Sequence, residues 1–424
     1  MPHGLGITNV ILGNMKMEKL GKYCKIISGY AFKSNDLSEG TEIPVIKIGN
    51  ISNGDDIITD SSTQYVSSDF LSIDEKYHIK KGDVLISLTG SHINQPNSMV
   101  GRSCRNFSDT EFLLNQRAGK VIPNENADKN YLYYLLNTES FKYSICNRAY
   151  GAANQANVSP SDIENIKWNF PPRPTQQKIA SILSAYDNLI QNYKKQIEAL
   201  QTAASELYKE WFVRFRFPGY QTTNFENGIP EGWKVYLIKD LCYINKKTVS
   251  SKDAKKEILY LDTGSITENV IDSFESYILE EAPSRARRIV KKNSIIFSTV
   301  RPNQNHYGIL KTVPENLIVS TGFAVFDPKF DIANILYFFL SSKDFVDYCQ
   351  MIAEGAVATY PSIKPEEIGK VKILLPTMDL AIKLNHSFES LFLRIENLKQ
   401  QITNLTQQRD LLLPRLMSGK LEVE

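Results

Sequence analysis

The stretch IASILSAYDNLIQNYKKQIEALQTAASELYKEWF, residues 179–212, carries an apolar side chain at alternating intervals of four and three residues. Such a 3.5-residue repeat between polar flanks is typical of a coiled-coil seam rather than of an ordinary globular helix face. The seam positions are Ile179, Leu183, Tyr186, Ile190, Tyr193, Ile197, Leu200, Ala204, Leu207 and Trp211. We therefore predict one long helix here, about 50 Å in length at 1.5 Å per residue.

The same pattern returns 205 residues later, in LNHSFESLFLRIENLKQQITNLTQQRDLLLPRLM, residues 384–417. Nine of the ten equivalent positions are again apolar, and the tenth is Arg409. These positions are Leu384, Phe388, Leu391, Ile395, Leu398, Ile402, Leu405, Arg409, Leu412 and Leu416. Pro218 is expected to end the first helix, and Pro414 is expected to disturb the end of the second.

The region before each long helix is repeated as well. KKGDVLIS (residues 80–87) matches KKNSIIFS (291–298), and NYLYYLLNTESF (130–141) matches NILYFFLSSKDF (334–345). The alternating apolar runs of the first pair predict strands, and the second pair predicts short helices. A repeat with changing loop lengths indicates two copies of one β-rich domain, each followed by a long helix.

The predicted fold is α+β, with two similar β-rich domains separated by two long helices. We favour an antiparallel, pseudo-twofold coiled coil within the chain, because it covers both seams without a partner. A homodimeric zipper or an ordinary buried helix pair stays open, since spacing alone excludes neither. The predicted segments are a first domain at 18–172, a helical region at 173–217, a second domain with its linker at 218–376 and a second helical region at 377–424.

Length and composition describe an ordinary globular chain. At 424 residues it is expected to hold two to three domains, and 42% apolar with 23% charged residues argues against disorder. The formal charge of 49 − 47 = +2 does not by itself indicate a nucleic-acid partner. No apolar run approaches the roughly 20 residues of a membrane helix, and no signal-peptide pattern is present, which favours the cytoplasm.

Sequence motifs for catalysis or metal binding are missing. The five cysteines are far apart and never form C-x-x-C, so we expect reduced thiols rather than disulfides or a zinc site. The sequence contains no H-E-x-x-H, no phosphate-binding G-x-x-x-x-G-K-[ST] and no G-x-S-x-G. We therefore expect a non-catalytic chain with no metal and no cofactor of its own.

Basic residues are concentrated beside two polar loops. Residues 285–311 contain seven basic and no acidic side chains, and residues 80–105 contain four basic and one acidic side chain. Arg, Asn and Gln can contact base edges, while Lys and Arg hold phosphates, so DNA contact is the hypothesis and ordinary turn or core roles are the alternative. The predicted DNA-contacting residues of the first domain are Lys33, Thr89, Ser91, Asn94, Gln95, Arg102, Gln116, Arg117, Asn154 and Gln155. Those of the second domain are Arg287, Arg288, Arg301, Asn303, Gln304, Asn305, His306, Thr321 and Tyr360.

Six strings in fixed order resemble the DNA specificity subunit of type I restriction-modification enzymes, a host defence system. The resemblance covers nearly the whole chain, and the ordered combination is specific although each string alone is weak. The strings are SGYAFKS at 28–34, IPVIKIGNI at 43–51, KKGDVLISLTG at 80–90, PPRPTQQKIASIL at 171–183, ELYKEWFVRF at 206–215 and RDLLLPRLMSGKL at 409–421.

The resemblance implies two target recognition domains, each reading one half of a bipartite double-stranded DNA site, with the helices setting the spacer. It implies a non-catalytic subunit that binds two methyltransferase subunits and, through them, restriction subunits. S-adenosylmethionine, ATP and Mg would then belong to those partners. Base-reading residues do not carry over, because recognition domains differ wherever targets differ. The competing hypothesis is a coiled-coil scaffold that does not bind DNA.

Overall fold

The computed structural model describes residues 16–40, 42–93, 95, 98–152, 155–250, 256–356 and 361–423. The chain forms two compact units. The first unit combines residues up to Asn192 with those from Ile402 onward, and the second spans Tyr193–Gln401. Each unit therefore contains one β-rich region and one half of each long helix.

The first unit is built on two four-stranded sheets. Its strands are β1 (Lys16–Lys19), β2 (Cys24–Ser28), β3 (Ile43–Ile46), β4 (Gln64–Val66), β5 (His78–Ile79), β6 (Val84–Ser87), β7 (Thr89–Gly90), β8 (Ser103–Arg105), β9 (Phe112–Leu114), β10 (Ala118–Pro123), β11 (Tyr150–Ala152), β12 (Gln155–Asn157) and β13 (Lys167–Phe170). The sheet orders are β2-β10-β6-β8 and β4-β3-β9-β5, with a smaller sheet β11-β12-β7 and an outer pair β1-β13. Pairing in the two main sheets is antiparallel except between β3 and β9, which run parallel.

The second unit repeats the two main sheets and the outer pair. Its strands are β14 (Phe225–Glu226), β15 (Ile229–Pro230), β16 (Lys234–Leu237), β17 (Cys242–Ile244), β18 (Glu257–Leu261), β19 (Ile266–Thr267), β20 (Val270–Ile271), β21 (Glu275–Ile278), β22 (Ala286–Ile289), β23 (Ile295–Ser298), β24 (Tyr307–Ile309), β25 (Leu317–Ser320), β26 (Phe323–Pro328) and β27 (Lys372–Leu375). The orders β17-β26-β23-β24 and β21-β18-β25-β22 match those of the first unit strand for strand, and β16-β27 matches β1-β13. The parallel pair recurs as β18 and β25. The predicted duplication is confirmed.

Short helices pack on these sheets. They are α1 (Lys129–Asn137), α2 (Glu139–Cys146) and α3 (Pro160–Glu164) in the first unit and α5 (Ile238–Leu241), α6 (Ala333–Leu340), α7 (Lys343–Ala356) and α8 (Pro365–Gly369) in the second. The short helices predicted within residues 130–141 and 334–345 correspond to α1 and α6. Asp128 caps α1 because its carboxylate accepts from the backbone N–H groups of Asn130 and Tyr131.

The two long helices are α4 (Arg173–Tyr208) and α9 (Met378–Met417). A π-helical turn at Lys209–Val213 follows α4, and the backbone N–H of Arg214 donates to the carbonyl of Lys209 over 2.8 Å. Helix α9 continues through Pro414 for three further residues. A proline this close to a helix end removes only one main-chain hydrogen bond, so the predicted disturbance is small.

Every predicted seam position is buried or half-buried, and none is exposed. In the first unit, Leu183 near the start of α4 shares an apolar cluster with Leu416 at the end of α9. In the second unit, Ala204 near the end of α4 shares a cluster with Phe388 near the start of α9, and Trp211 packs edge-on to Phe388 at 5.5 Å. The helices therefore pair antiparallel within the chain, as predicted.

Candidate DNA interface

Three segments of the first unit meet beside its second sheet: the loop after β2, the segment after β3, and the turn between β9 and β10. The backbone N–H of Tyr30 donates to the carbonyl of Leu114 over 2.7 Å, and that of Gln116 donates to the carbonyl of Tyr30 over 2.9 Å. Asn115 N–H donates to the carbonyl of Ile46 over 3.0 Å. Backbone hydrogen bonds thus hold all three segments together.

Glycine is required where these segments approach most closely. A Cβ atom on Gly29 would lie 2.2 Å from the carbonyl oxygen of Leu114 and 2.4 Å from that of Asn115. No side chain fits at that distance, because both opposing atoms belong to the backbone. The SGYAFKS string therefore marks a close crossing of two backbones, and Phe32 beside it is buried in an apolar cluster with Val45.

The joined segments of the first unit, together with Arg102 from the turn before β8, carry the first basic cluster, which consists of Lys47, Arg102, Gln116 and Arg117. Gln116 and Arg117 are exposed, and Lys47 is half-buried. Burial and then the positive charge of Arg117 lower the pKa of Lys47, whose ammonium donates to Gln64 Oε1. Arg102 Nη2 donates to the carbonyl of Ile48 over 2.9 Å. Three cations therefore lie around one loop. This concentration of positive charge is suited to binding a phosphate group or a guanine edge.

Other predicted contacts of the first domain lie in different settings. Lys33, Gln95 and Gln155 are exposed. Thr89 is buried and its Oγ1 donates to Asn157 Oδ1 over 2.8 Å, while Ser91 is buried and donates to the carbonyl of Gln95 over 2.7 Å. The Thr89 hydroxyl therefore joins β7 to β12, and the Ser91 hydroxyl serves the internal hydrogen bonding of its loop. The predicted contacts Asn94 and Asn154 lie outside the described residues.

The turn between β25 and β26 is the second unit's counterpart of the turn at Gln116. The backbone N–H of Thr321 donates to the carbonyl of Arg285 over 2.8 Å, and that of Thr299 donates to the carbonyl of Gly322 over 2.9 Å. Thr321 and Arg285 are both exposed. Arginine thus lies beside the equivalent turn here as well, although it comes from the residue before β22 rather than from the turn itself.

The basic run of the second unit begins beside this turn, at Arg285 and on β22. Arg287 is half-buried and its Nη1 donates to the carbonyl of Ala286 over 2.9 Å. Arg288 is also half-buried, and burial lowers the pKa of its guanidinium. These two predicted contacts therefore lie at the surface with part of each side chain held against the sheet. We define Arg285, Arg287, Arg288 and Thr321 as the second basic cluster.

The polar loop before β24 has an unusual backbone. Arg301 and Asn305 adopt positive φ angles of 46° and 57°, a left-handed conformation that non-glycine residues rarely take. Asn305 Nδ2 donates to Glu268 Oε1 over 2.9 Å, and His306 Nδ1 donates to the carbonyl of Ile266 over 2.6 Å. Asn303 and Gln304 are exposed between them. The predicted contact Tyr360 lies outside the described residues.

The two units place different chemistry at equivalent points of the same scaffold. Ser87 N–H donates to the carbonyl of Arg102 over 2.8 Å, and its counterpart Ser298 donates to that of His306 over 2.8 Å, which identifies one equivalent pair. The equivalent pairs are Lys47 and Asp262, Arg102 and His306, and Arg117 and Gly322. Sequence reasoning missed Lys47, although aligning VIKIGNI with YLDTGSI places it opposite an acidic residue.

Signs of a metal site or membrane span are missing from the part of the chain that the structure describes. No group of three or more His, Cys, Asp or Glu side chains there could hold a metal ion. No helix among these residues is both long and apolar enough to cross a bilayer. The five cysteines are free and buried.

Comparison with known proteins supports the same family that the sequence resembles. The family model for the type I restriction modification DNA specificity domain matches residues 13–202 and 230–408. The MjaIX type I restriction enzyme specificity subunit of Methanocaldococcus jannaschii is 26% identical over 420 residues, covering 94% of this chain and 91% of that protein. The putative MjaX specificity subunit of the same organism is 26% identical over 361 residues, covering 82% and 80%.

A solved structure has the same fold. The crystal structure of the S subunit of a type I restriction-modification system from M. genitalium superposes with a TM-score of 0.54 at 16% identity, covering 97% of this chain and 98% of that chain. The two family matches coincide with the two copies found in the sequence, and together they span most of the chain. The chain therefore belongs to the type I restriction-modification DNA specificity family.

Proposed function

We propose that this chain is the sequence-specific, double-stranded DNA-binding subunit of a type I restriction-modification complex, and that each β-rich domain reads one half of a bipartite target. The observation that supports this most directly is one scaffold used twice with different side chains at equivalent points. A scaffold that bound two copies of the same protein would have no need for Lys47 opposite Asp262 or Arg117 opposite Gly322. Two different half-sites require such differences.

The two basic clusters are proposed as the DNA-facing surfaces. In the first, Lys47 and Arg117 raise the local positive potential, and exposed Gln116 offers both a donor and an acceptor to a base edge. In the second, Arg285 and Arg287 are proposed for phosphates, with Arg301, Asn303 and Gln304 on the neighbouring loop. The near-neutral total charge is compatible with this, because affinity for DNA depends on where the cations lie rather than on their sum.

The long helices are proposed to set the spacer and to dock two methyltransferase subunits. Ile182, Leu189 and Leu411 lie outside the seam in the first unit, and their side chains are 39%, 36% and 66% exposed. Leu393 in the second unit is 57% exposed. Apolar side chains left in solvent on helices whose seam is already covered are suited to a protein partner. Methylation, cleavage and their cofactors S-adenosylmethionine, ATP and Mg would belong to the partner subunits, and the complex would act in the cytoplasm.

The proposal is tested by duplex binding of the full chain assembled with its methyltransferase subunits. We expect affinity for a target duplex to fall steeply as salt rises, because bound phosphates release counterions. Methylome sequencing of the host with and without the gene supplies the target and should give two half-sites separated by a fixed spacer. Absence of any duplex affinity in the assembled complex would refute the proposal and favour the scaffold hypothesis.

The assignment of one half-site to each domain, and of the spacer to the long helices, is tested separately. Exchanging residues 233–376 for the second domain of another family member should change one half-site only. Inserting four residues into both long helices at matching points, between Gln196 and Leu200 and 205 residues later, should lengthen the spacer. An unchanged spacer, or a change in both half-sites after the exchange, would contradict the modular assignment.

A further inference from the structure

One buried carboxylate in the first unit joins three parts of the chain. Asp187 on α4 is 3% exposed, and its Oδ2 accepts from the hydroxyl of Tyr134 over 2.6 Å and from Arg105 Nη2 over 3.2 Å. Its Oδ1 accepts from Arg409 Nη1 of α9 over 2.7 Å. Arg105 lies on β8, so the carboxylate connects the β-rich region to both long helices. This contact explains why a basic residue interrupts the apolar seam at position 409.

The second unit has only part of this arrangement. Lys311, which follows β24, has a buried ammonium 2.6 Å from Glu389 Oε2 on α9, and Asn334 Nδ2 donates to the same oxygen over 3.1 Å. In the first unit Arg105 Nη1 likewise donates to Asn130 Oδ1 over 2.9 Å, and Asn130 aligns with Asn334. A cation, an asparagine and a carboxylate therefore tie the β-rich region to a long helix in both units.

The Asp187–Arg409 ion pair has apolar residues at the equivalent point of the second unit. Adding 205 to Asp187 gives Phe392, and subtracting 205 from Arg409 gives Ala204. Ala204 is 2% exposed and Phe392 is 5% exposed, and both belong to one apolar cluster. The same point of the repeat is therefore ionic in one copy and apolar in the other.

We propose that the Asp187–Arg409 ion pair makes α4 and α9 of one chain pair with each other. It prevents either helix from pairing with a helix of a second copy of the chain. The repeat makes such exclusion necessary, because α4 and α9 carry the same apolar seam and each could pair antiparallel with its own counterpart in another molecule. In an α4–α4 pair, Ala204 would occupy the place of Arg409. In an α9–α9 pair, Phe392 would occupy the place of Asp187.

Either mispairing separates Asp187 or Arg409 from the other member of the pair. In an α4–α4 pair Asp187 would keep Arg105 and Tyr134 but would lose Arg409. In an α9–α9 pair Arg409 would keep its neighbour Asp410 but would face an aromatic ring in place of Asp187. Removing one member of a buried ion pair is strongly destabilising, and a single buried polar position is known to specify coiled-coil partners at a cost in stability. The apolar Ala204–Phe392 point could not discriminate in this way. The inference concerns only the choice of helix partner and is independent of DNA reading.

The test uses two differently tagged copies of the full chain, produced together and analysed by tag co-purification and native mass spectrometry. We expect wild-type copies to stay separate. The variant D187F/R409A gives the first unit the residues of the second, and we expect mixed-tag complexes to rise at least tenfold above the wild-type background. The control E198A/R394A removes one acid and one base from exposed positions on the same helices and should leave the background unchanged.

A second variant guards against a folding failure. R409M keeps Asp187 paired with Arg105 and Tyr134. It removes the positive charge that would face Phe392 in an α9–α9 pair, so it should also increase mixed-tag complexes. The proposal is overturned if a folded D187F/R409A chain mixes no more than wild type, or if wild-type copies already mix freely. Should D187F/R409A fail to fold, R409M decides alone: more mixing supports the proposal and unchanged mixing overturns it.

Discussion

Replacing Lys142 with methionine should stabilise the first unit at neutral pH. Lys142 lies on α2 with 8% of its surface exposed, and its ammonium donates to Asn53 Oδ1. Burial, reinforced by the charge of Arg102 and opposed by Glu139, lowers the pKa of Lys142 from 10.5 to about 8. The charged lysine is therefore disfavoured in the folded chain relative to the unfolded one.

The magnitude follows from the difference between the two pKa values. At about 1.4 kcal/mol per tenfold change, a pKa lowered from 10.5 to about 8 means that the charged form costs the folded state about 3 kcal/mol. The cost is fully present below pH 8, fades as pH rises from 8 to 10.5, and vanishes above that range. Methionine removes it but also loses one hydrogen bond worth about 1 kcal/mol. The net gain expected at pH 7 is about 2 kcal/mol.

Urea unfolding of the wild-type chain and K142M, followed by circular dichroism at pH 7 and pH 10.5, measures this difference. The midpoint of K142M should lie higher at pH 7 and slightly lower at pH 10.5, so that the order of the two proteins reverses. K25M, which replaces an exposed lysine of β2, is the matched control and should show no such reversal. A difference that does not change with pH would show that the buried charge is not its cause.

Three further outcomes follow from the geometry. K47A/R117A should weaken duplex binding by the assembled complex and reduce the slope of log affinity against log salt by about 2. Titration at several salt concentrations measures the slope, with K25A as the control. An unchanged slope would show that the first basic cluster does not contact DNA. G29A should unfold the first unit, whereas G49A should be tolerated because no atom lies within 4 Å of the added Cβ; equal thermal midpoints would contradict the close crossing. Burial raises the pKa of all five cysteine thiols, so a thiol reagent at pH 8 should react only after denaturation, and rapid labelling of the native chain would contradict their burial.

The elements governed by local periodicity were predictable from the sequence. The predicted seam positions are all buried or half-buried, and strands at 84–87 and 295–298 occupy equivalent places in equivalent sheets. Heptad and alternating patterns indicate which face of a helix or strand is apolar, and the internal repeat indicates that the same set of elements occurs twice. The fold could therefore be predicted without knowing any contact between residues far apart in the sequence.

Features that depend on distant partners were not predictable in this way. In the sequence alone, Arg409 only interrupts the apolar seam, because its partner Asp187 lies 222 residues away. Thr89 and Ser91 belong to a polar stretch of sequence, yet both are buried, Thr89 bonded to Asn157 of β12 and Ser91 to the carbonyl of Gln95. Lys47 lies in an apolar strand-like string, and its place beside Arg117 depends on three converging segments. Side-chain exposure and charge pairing arise from tertiary structure, which periodicity does not encode.

The discontinuous first unit has a consequence for synthesis of the chain. Asp187 leaves the ribosome 222 residues before Arg409. At about 5–20 residues per second, that interval lasts roughly 10 to 45 s. During that time Ile179 and Leu183 lack the apolar residues of α9 that later cover them, and the carboxylate of Asp187 lacks one of its two cations. The first domain must therefore persist as an incomplete intermediate while the second is made, and it reaches its final stability only when the end of α9 has emerged.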